Sequence, residues 1–125
     1  MQLPTKLAAL AFLVAAWDPT APVVIEHGFL TGGDYLQRSE TERHGYAMGL
    51  LDGLFASAII GGDHAVITRI KSCTLGMKSN QIMAIFDKYL RDHPGIWHQD
   101  ADILFLQSLS DVCRGTCLKE GHNAG

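Results

Sequence analysis

The stretch SETERHGYAMGLLDGLFASAII, residues 39–60, contains the clearest helix signal in the chain. Ser39 is followed three residues later by Glu42, the capping-box spacing in which a hydroxyl and a carboxylate satisfy each other's free backbone N–H groups. Apolar residues then recur every four positions on two adjacent edges: Tyr46, Leu50 and Leu54, and Ala47, Leu51 and Phe55. We therefore predict a long amphipathic helix that begins after Ser39 and runs to Ile60.

Small residues repeat with the same period in this stretch: Gly45, Gly49, Gly53, Ser57 and Gly61. Each internal glycine costs about 1 kcal/mol of helix propensity relative to alanine, so three in register need compensation. We predict that another backbone packs closely against them. Glycines at this spacing also mark dimers of membrane helices, but Asp52 interrupts the segment and its apolar length is too short for that role.

Two further helices are predicted downstream. Ser79 has the residue type of an N-cap, and His93-Pro94-Gly95 ends the segment that follows it. That segment has apolar residues at helical spacing throughout: Ile82, Ile85, Phe86, Tyr89 and Leu90. A last helix starts at about Gln99 and is largely buried, because it carries many apolar residues: Ile103, Leu104, Phe105, Leu106, Leu109 and Val112. Gly115 is its expected end.

The remaining segments are shorter. We expect a helical turn around residues 34–38, a turn over residues 61–65, and either a short helix or an irregular segment over residues 66–71. No segment shows the sustained apolar–polar alternation of a strand. The sequence thus predicts a small all-α domain of three main helices plus one or two short ones.

Length and charge narrow the functional classes. The chain has 125 residues, which suits one domain, and 47% of them are hydrophobic, enough for a buried core. Ten Lys and Arg against thirteen Asp and Glu give a net charge of −3, with no run of like charge. Nucleic acid is therefore a poor candidate partner.

The amino terminus has the layout of a secretory signal peptide. Lys6 precedes the apolar run LAALAFLVAA, which ends in small residues. We expect residues 1–16 to be the signal peptide, 17–26 a flexible lead, 27–116 the folded domain and 117–125 a frayed tail. The run has about half of the roughly 20 residues that span a bilayer, which argues against a permanent membrane anchor. The alternative is a buried amino-terminal helix of a cytosolic protein.

The three cysteines, Cys73, Cys113 and Cys117, contain no CxxC pair, so a redox motif or a zinc ribbon loses support. A structural disulfide remains, in keeping with export. Cys113 and Cys117 are four residues apart and would project in parallel from a helix, so we prefer a long-range bridge from Cys73. Either of the other two cysteines is a possible partner for it.

No catalytic, metal or cofactor set stands out, and we expect the protein not to be an enzyme. His98 and Asp102 have a spacing that a metal site uses, with Asp100 between them and His93 nearby. First-turn carboxylates that favour the helix dipole explain the two aspartates better. The chain also lacks the GxSxG elbow of serine hydrolases and any glycine-rich phosphate loop.

Several short blocks of the sequence resemble a known family when taken in order. They are HGFLTGGDYL from residue 27, YAMGLLDGL from residue 46, CTLGMKSNQIMAIFDKYLRDHP from residue 73, the pair Trp97-His98, and Cys113. Together they are similar to the Tai immunity proteins of type VI secretion, which are grouped with the Rap resistance-associated immunity proteins. The resemblance covers residues 28–113.

The resemblance implies a small all-α protein of the periplasm that binds and blocks a peptidoglycan amidase effector, protecting the cell from itself and its siblings. It also implies a homodimer, and a disulfide between Cys73 and Cys113. Cys117 is an addition to the family pattern. In such pairs a projecting element of the immunity protein occupies the active-site cleft of the effector.

The segment from 61 to 72 matches no block of the resemblance, so the residues that enter the cleft cannot be carried over. We nominate that connection and the turn around Trp97 as contact regions. Their candidate partner contacts are Asp63, His64, Arg69, Trp97 and His98. The alternative function is a periplasmic stress protein or chaperone that exposes apolar surface in acid, or an orphan binding module of the same fold.

Overall fold

Five α-helices follow one another in the computed structural model, which describes residues 28–115. They are α1 (Gly32–Gln37), α2 (Glu40–Ala56), α3 (His64–Thr74), α4 (Ser79–Asp92) and α5 (Ala101–Arg114). Two 3₁₀ turns, Ser57–Ile60 and Pro94–Ile96, follow α2 and α4. Residues 28–115 contain no β-strand, only an isolated bridge between Thr31 and Asp100. The predicted all-α fold is confirmed. The expected signal peptide, the lead and the tail with Cys117 lie outside the described residues.

Reciprocal capping boxes start the first two helices. At α2 the predicted box is confirmed, because the Ser39 N–H donates to Glu42 Oε2 at 2.9 Å and the Glu42 N–H donates to Ser39 Oγ at 3.3 Å. A second box joins Thr31 and Asp34, with both N–H···O distances at 3.1 Å. It starts α1 at Gly32, before the turn predicted over residues 34–38, because Thr31 and Asp34 have the same spacing as the α2 pair.

The starts of α4 and α5 differ from the predictions. Lys78, and not Ser79, is the N-cap of α4, and its N–H donates to Gln81 Oε1 at 2.7 Å. The Ser79 hydroxyl is used elsewhere, since it lies 2.6 Å from His44 Nε2 on α2. Asp100 is the N-cap of α5, so that helix begins at Ala101, later than predicted.

The core forms where α4 packs against α2 and α5. Three aromatic rings lie at its centre: Phe86 is 4.5 Å from the Tyr35 ring and meets the Phe105 ring edge-on at 5.3 Å. Buried aliphatic residues surround them: Ile70, Ile82, Leu90, Leu104 and Leu109. The helical periodicity of residues 82–90 therefore identified the buried face of α4 correctly, with Ile85 and Tyr89 half-buried at its margins.

The buried carboxylate of Asp87 joins three helices next to these rings. The Tyr35 hydroxyl donates to Asp87 Oδ1 at 2.8 Å, and Arg43 Nη1 lies 3.4 Å from Asp87 Oδ2. Burial raises the pKa of Tyr35, and the hydrogen bond to Asp87 adds to the shift. Because a buried charge is tolerated only when it is paired, Asp87 fixes α1 and α2 against α4.

A disulfide between Cys73 and Cys113 ties α3 to α5, with their Cα atoms 5.6 Å apart. The pair is the one that the resemblance implies. It closes a loop with a sequence separation of 40 residues. On the chain-entropy account, a loop of that length stabilises the fold by about 4 kcal/mol.

Two predictions about packing are wrong. No atom of residues 28–115 outside the local helix lies within 4 Å of a Cβ placed at Gly45, Gly49 or Gly53, so the glycines of α2 face outward rather than against another backbone. Helix α5 is also less buried than predicted, because Ile103 and Val112 are each nearly half-exposed. In both cases sequence periodicity located a face of the helix but did not identify what covers it.

None of the helices within residues 28–115 is both long and apolar enough to cross a membrane.

Candidate functional site

The first corner, residues 57–63, presents two neighbouring apolar side chains to solvent. Ile59 and Ile60 are each 87% exposed, the highest values among the large hydrophobic residues of the described chain. They lie in the 3₁₀ turn that continues α2. Isolated surface isoleucines are ordinary, but an adjacent pair this exposed forms an apolar projection.

Local hydrogen bonds hold the first corner in one shape. The Ser57 hydroxyl donates to the Leu54 carbonyl at 2.6 Å, and the Gly62 N–H donates to the Ser57 carbonyl at 2.8 Å. Gly61 has a φ of +97°, in the left-handed region that favours glycine. A Cβ added at Gly62 would lie 2.9 Å from the Ser57 carbonyl oxygen, so the chain can turn this tightly only without a side chain there.

Two of the five candidate contact residues lie directly after this projection. Asp63 is the N-cap of α3, and its Oδ1 accepts from the N–H groups of Ala65 at 2.9 Å and Val66 at 3.1 Å. His64 is the first residue of α3 and is exposed. Asp63 therefore has a structural task, which is to start the helix, whereas His64 is exposed four residues after Ile60.

Arg69 occupies a different environment. It is half-buried on α3, and its Nε atom is buried without a hydrogen-bond partner in the described part of the chain. Its guanidinium is therefore only partly accessible. The segment 66–71, for which the sequence left open a helix or an irregular stretch, is continuous helix.

The second corner, residues 93–100, contains the other two candidates. Unlike the first corner, it is held by hydrogen bonds to other helices. Trp97 is 37% exposed, and its indole N–H donates to the Leu90 carbonyl at 2.6 Å. The backbone of α1 docks here, with the Gly33 N–H donating to the Trp97 carbonyl at 2.9 Å and the Gly32 N–H to the Gln99 carbonyl at 3.0 Å. The main role of Trp97 is therefore to hold α1 and α4 together.

Gly32 shows how tightly this corner is packed. A Cβ there would lie 2.9 Å from Leu104 Cδ1 and 3.0 Å from Leu90 Cδ2, and both leucines are fully buried. His98 remains exposed next to Trp97. Two hydrogen bonds from Thr31, one from its backbone N–H and one from its hydroxyl, lower the pKa of the nearby Asp34 carboxyl.

The candidate contact residues thus divide between two corners anchored on different elements. Asp63, His64 and Arg69 belong to the first corner and α3, whereas Trp97 and His98 belong to a turn fastened to α1 and α4. The described contacts do not bring the two sets into one site. Of the two, only the first corner has an exposed apolar pair at its tip.

The histidine and the aspartates weighed as a metal site do not form one in the described region. Within residues 28–115, no three His, Cys, Asp or Glu side chains are grouped so that they could hold a metal ion. Asp100 and Asp102 lie at the start of α5, as N-cap and first-turn residue. Asp102 Oδ1 accepts from the Ile103 N–H at 2.9 Å.

Sequence reasoning missed Ile59 and Ile60, which were assigned to the end of the long helix. A signal was present, because Gly61-Gly62 follows the two isoleucines directly and predicts a turn there, so the chain leaves the helix before they are covered. The chain matches no family model, and searches of curated proteins and of solved structures found no match.

Proposed function

We propose that this protein is a periplasmic immunity protein that binds and inhibits a peptidoglycan amidase effector of type VI secretion. The observation that carries the proposal is the first corner, where Ile59 and Ile60 form a preorganised apolar projection. Such a projection suits insertion into a cleft, since apolar anchors buried at the centre of an interface contribute most of its affinity. The sequence resemblance over residues 28–113 suggests the class of the effector, a peptidoglycan amidase.

The rigidity of the first corner supports this role. Its 3₁₀ turn is bounded by the Ser57 hydrogen bonds on one side and by the Asp63 cap on the other. A loop already in its bound shape loses little conformational entropy on binding, which favours a tight complex. His64, at the base of the projection, adds a polar group at the rim of the contact.

The experiment measures binding and inhibition with the oxidised, exported protein and a peptidoglycan amidase from the same or a related cell. We expect a dissociation constant in the nanomolar range, equivalent to about −12 kcal/mol, together with loss of amidase activity. Sedimentation velocity on the same sample tests the homodimer that the resemblance implies, which is part of the proposal.

Two variants locate the contact. Ile59→Ser combined with Ile60→Ser is expected to weaken binding at least tenfold, because the variant removes the apolar anchors. Leu75→Ser is the matched control, since Leu75 is 82% exposed but lies at the opposite end of α3. Equal inhibition by all three proteins would rule out the first corner as the contact, and failure to bind any amidase would favour a stress protein or an orphan binding module.

A further inference from the structure

A surface groove runs between α2 and α5, on the face where the glycines of α2 lie. Its volume is about 280 Å³, and α2 contributes Gly49, Leu50, Gly53 and Leu54 to its lining. This volume lies just below the roughly 300–1,000 Å³ of small-molecule sites, so the groove suits one or two side chains better than a whole ligand. Gly49 and Gly53 have no side chains, so the backbone of a partner can approach α2 closely there.

The side of the groove that α5 forms changes from apolar to charged along its length. Phe105 and Leu106 form an apolar floor, Ile103 is 48% exposed, and Asp102 adds a carboxylate at the amino-terminal end. Asp102 and Leu106 are four residues apart, so they lie on the same face of α5, about 6 Å apart at the helical rise of 1.5 Å per residue. None of the described residues that line the groove is Lys, Arg or His.

A second carboxylate, that of Asp100, lies beside Asp102. Asp102 Oδ1 is 3.5 Å and Asp100 Cγ is 3.8 Å from the position of a Cβ placed at Gly28, so the two carboxyl groups lie around one point. Burial raises the pKa of Tyr46 on α2 to about 12, and the charges of Asp102 and Asp100 add to the shift. One end of the groove therefore lies next to two negative charges.

Neither of these carboxylates is neutralised by the described part of the chain. The ion pairs within residues 28–115 all involve other acidic residues. Asp100 is the N-cap of α5, yet its side chain accepts no capping hydrogen bond. Asp102 Oδ1 accepts only from the N–H of its neighbour Ile103. Most of the acceptor capacity of the pair is therefore open to a cationic partner.

An apolar floor that ends at unpaired carboxylates matches a long basic side chain, which has an apolar stem and a cationic head. The five bonds from Cα to the head of an extended Lys or Arg side chain span about 6 Å, the same length as the floor from Leu106 to Asp102. We propose that this groove docks a segment of another protein in which a Lys or Arg stands next to an aliphatic residue. The basic head meets Asp100 and Asp102, and the aliphatic neighbour packs beside Leu54.

This inference goes beyond the proposed function and does not rest on it. It concerns the groove between α2 and α5 rather than Ile59 and Ile60, and its test uses a peptide in place of an amidase. The net charge of −3 favours the approach of a basic segment.

The probe is the peptide acetyl-Gly-Arg-Leu-Gly-amide, titrated into the oxidised, exported protein with labelled methyl groups. We expect saturable shifts of the methyl signals of Leu54, Ile103 and Leu106 in NMR spectra. A peptide with norleucine in place of Arg keeps the apolar stem without the charge, and it should bind about threefold to tenfold more weakly. Absence of these shifts at millimolar peptide, or equal binding of the two peptides, would overturn the proposal.

Asp100→Asn combined with Asp102→Asn removes both charges and keeps a good N-cap residue at the start of α5. The double variant should weaken binding of the Arg peptide by the same factor and leave the norleucine peptide unaffected. Asp52→Asn is the matched control, since Asp52 is an exposed carboxylate on α2 outside the groove lining. An equal loss of affinity in the control would contradict a local charge contact.

Gly53→Leu fills the groove at a position with open space and should abolish the peptide shifts, whereas Gly45→Leu, outside the lining, should preserve them. Two further results would identify a different occupant and overturn the proposal. Butylammonium that binds as tightly as the Arg peptide would indicate a free amine. Shifts of the Ile103 methyl signals when the protein alone is diluted would indicate a second copy of this chain.

Discussion

The first and second corners are built from the same local structure, a short 3₁₀ turn after a helix, yet they are used in opposite ways. The second corner is fastened by the Trp97 indole and by two backbone N–H groups of α1. The first corner is held mainly by its own atoms and leaves Ile59 and Ile60 in solvent. A turn that makes long-range hydrogen bonds holds other elements of the fold in place. A turn whose hydrogen bonds join only neighbouring residues leaves its side chains free to contact a partner.

The largest expected effect comes from removing the disulfide, which joins the carboxyl-terminal ends of α3 and α5. Cys73→Ser combined with Cys113→Ser should lower the free energy of unfolding by about 4 kcal/mol, because the unfolded chain regains the entropy of a loop of some 40 residues. Urea denaturation measures the loss. Amide hydrogen exchange should show α3 losing protection before residues 97–101, since the second corner is held by backbone hydrogen bonds.

Cys117→Ser is the control for the disulfide experiment and should change neither stability nor exchange. Equal loss of protection at α3 and at the second corner would show that the two regions open as one unit, against the distinction drawn between them.

Gly32→Ala is expected to have the next largest effect, about 1–3 kcal/mol of destabilisation, because the new methyl overpacks against Leu90 and Leu104. Gly33→Ala is its neighbour and matched control. Its Cβ would meet the Trp97 carbonyl oxygen at 3.6 Å, an ordinary contact, so its effect should stay within about 0.5 kcal/mol. Similar melting temperatures for the two variants would show that the second corner is not tightly packed.

Asp34→Asn tests the capping box at the start of α1, the helix whose first N–H groups bond to the second corner. Its expected cost at neutral pH is about 0.3–1 kcal/mol, from a weaker interaction with the helix N-terminus. The lowered pKa of Asp34 means that its carboxylate stabilises the fold above the ordinary value of 3.8, and that this stabilisation is lost as the pH falls through the lowered value. The difference between wild type and variant should therefore be constant at pH 5–7 and shrink below 3.8.

Urea midpoints of both proteins across that pH range provide the measurement for the capping box. Glu42 caps α2 in the same way in both proteins, so its own titration cancels in the difference. A stability difference between wild type and Asp34→Asn that grew as the pH fell would contradict a stabilising Asp34 carboxylate.

The smallest effect on stability is expected at the first corner. Ile59→Ser combined with Ile60→Ser should change the free energy of unfolding by no more than about 0.5 kcal/mol, because both side chains are already in water. Thermal unfolding checks this, alongside the amidase binding assay. A destabilisation of 2 kcal/mol or more would mean that the isoleucines are covered, for example by a second copy of the chain, and that the corner is not a free projection.

Local patterns predicted most of the helices because their causes are local. The Ser39 box and the periodicity of residues 82–90 depend on neighbours within one or two turns, and both are confirmed. The box at Thr31 and Asp34 has the same spacing and was detectable in the same way. Lys78 was not detectable as a cap by residue type, because Gln81 satisfies its N–H from the other side.

Tertiary placement could not be read from the sequence in the same way. The glycines of α2 signalled an unusual helix face, but the cost of glycine does not reveal which atoms compensate for it. For the disulfide, the cysteine spacing left both Cys113 and Cys117 open, and the resemblance pointed to the pair that the structure contains. The exposure of Ile59 and Ile60 depends on where α3 turns away, which Gly61 and Asp63 determine together.

The docking of α1 onto the second corner also determines when the fold can be completed during synthesis. The Gly32 N–H finds its acceptor on Gln99, 67 positions later, and Ala101 donates back to Leu30. At a synthesis rate of about 5–20 residues per second, the acceptors on Trp97 and Gln99 are made several seconds after Gly32 and Gly33. The last helix is thus the component that closes the molecule, and a nascent chain stalled before residue 97 lacks the acceptors that would hold its own beginning in place.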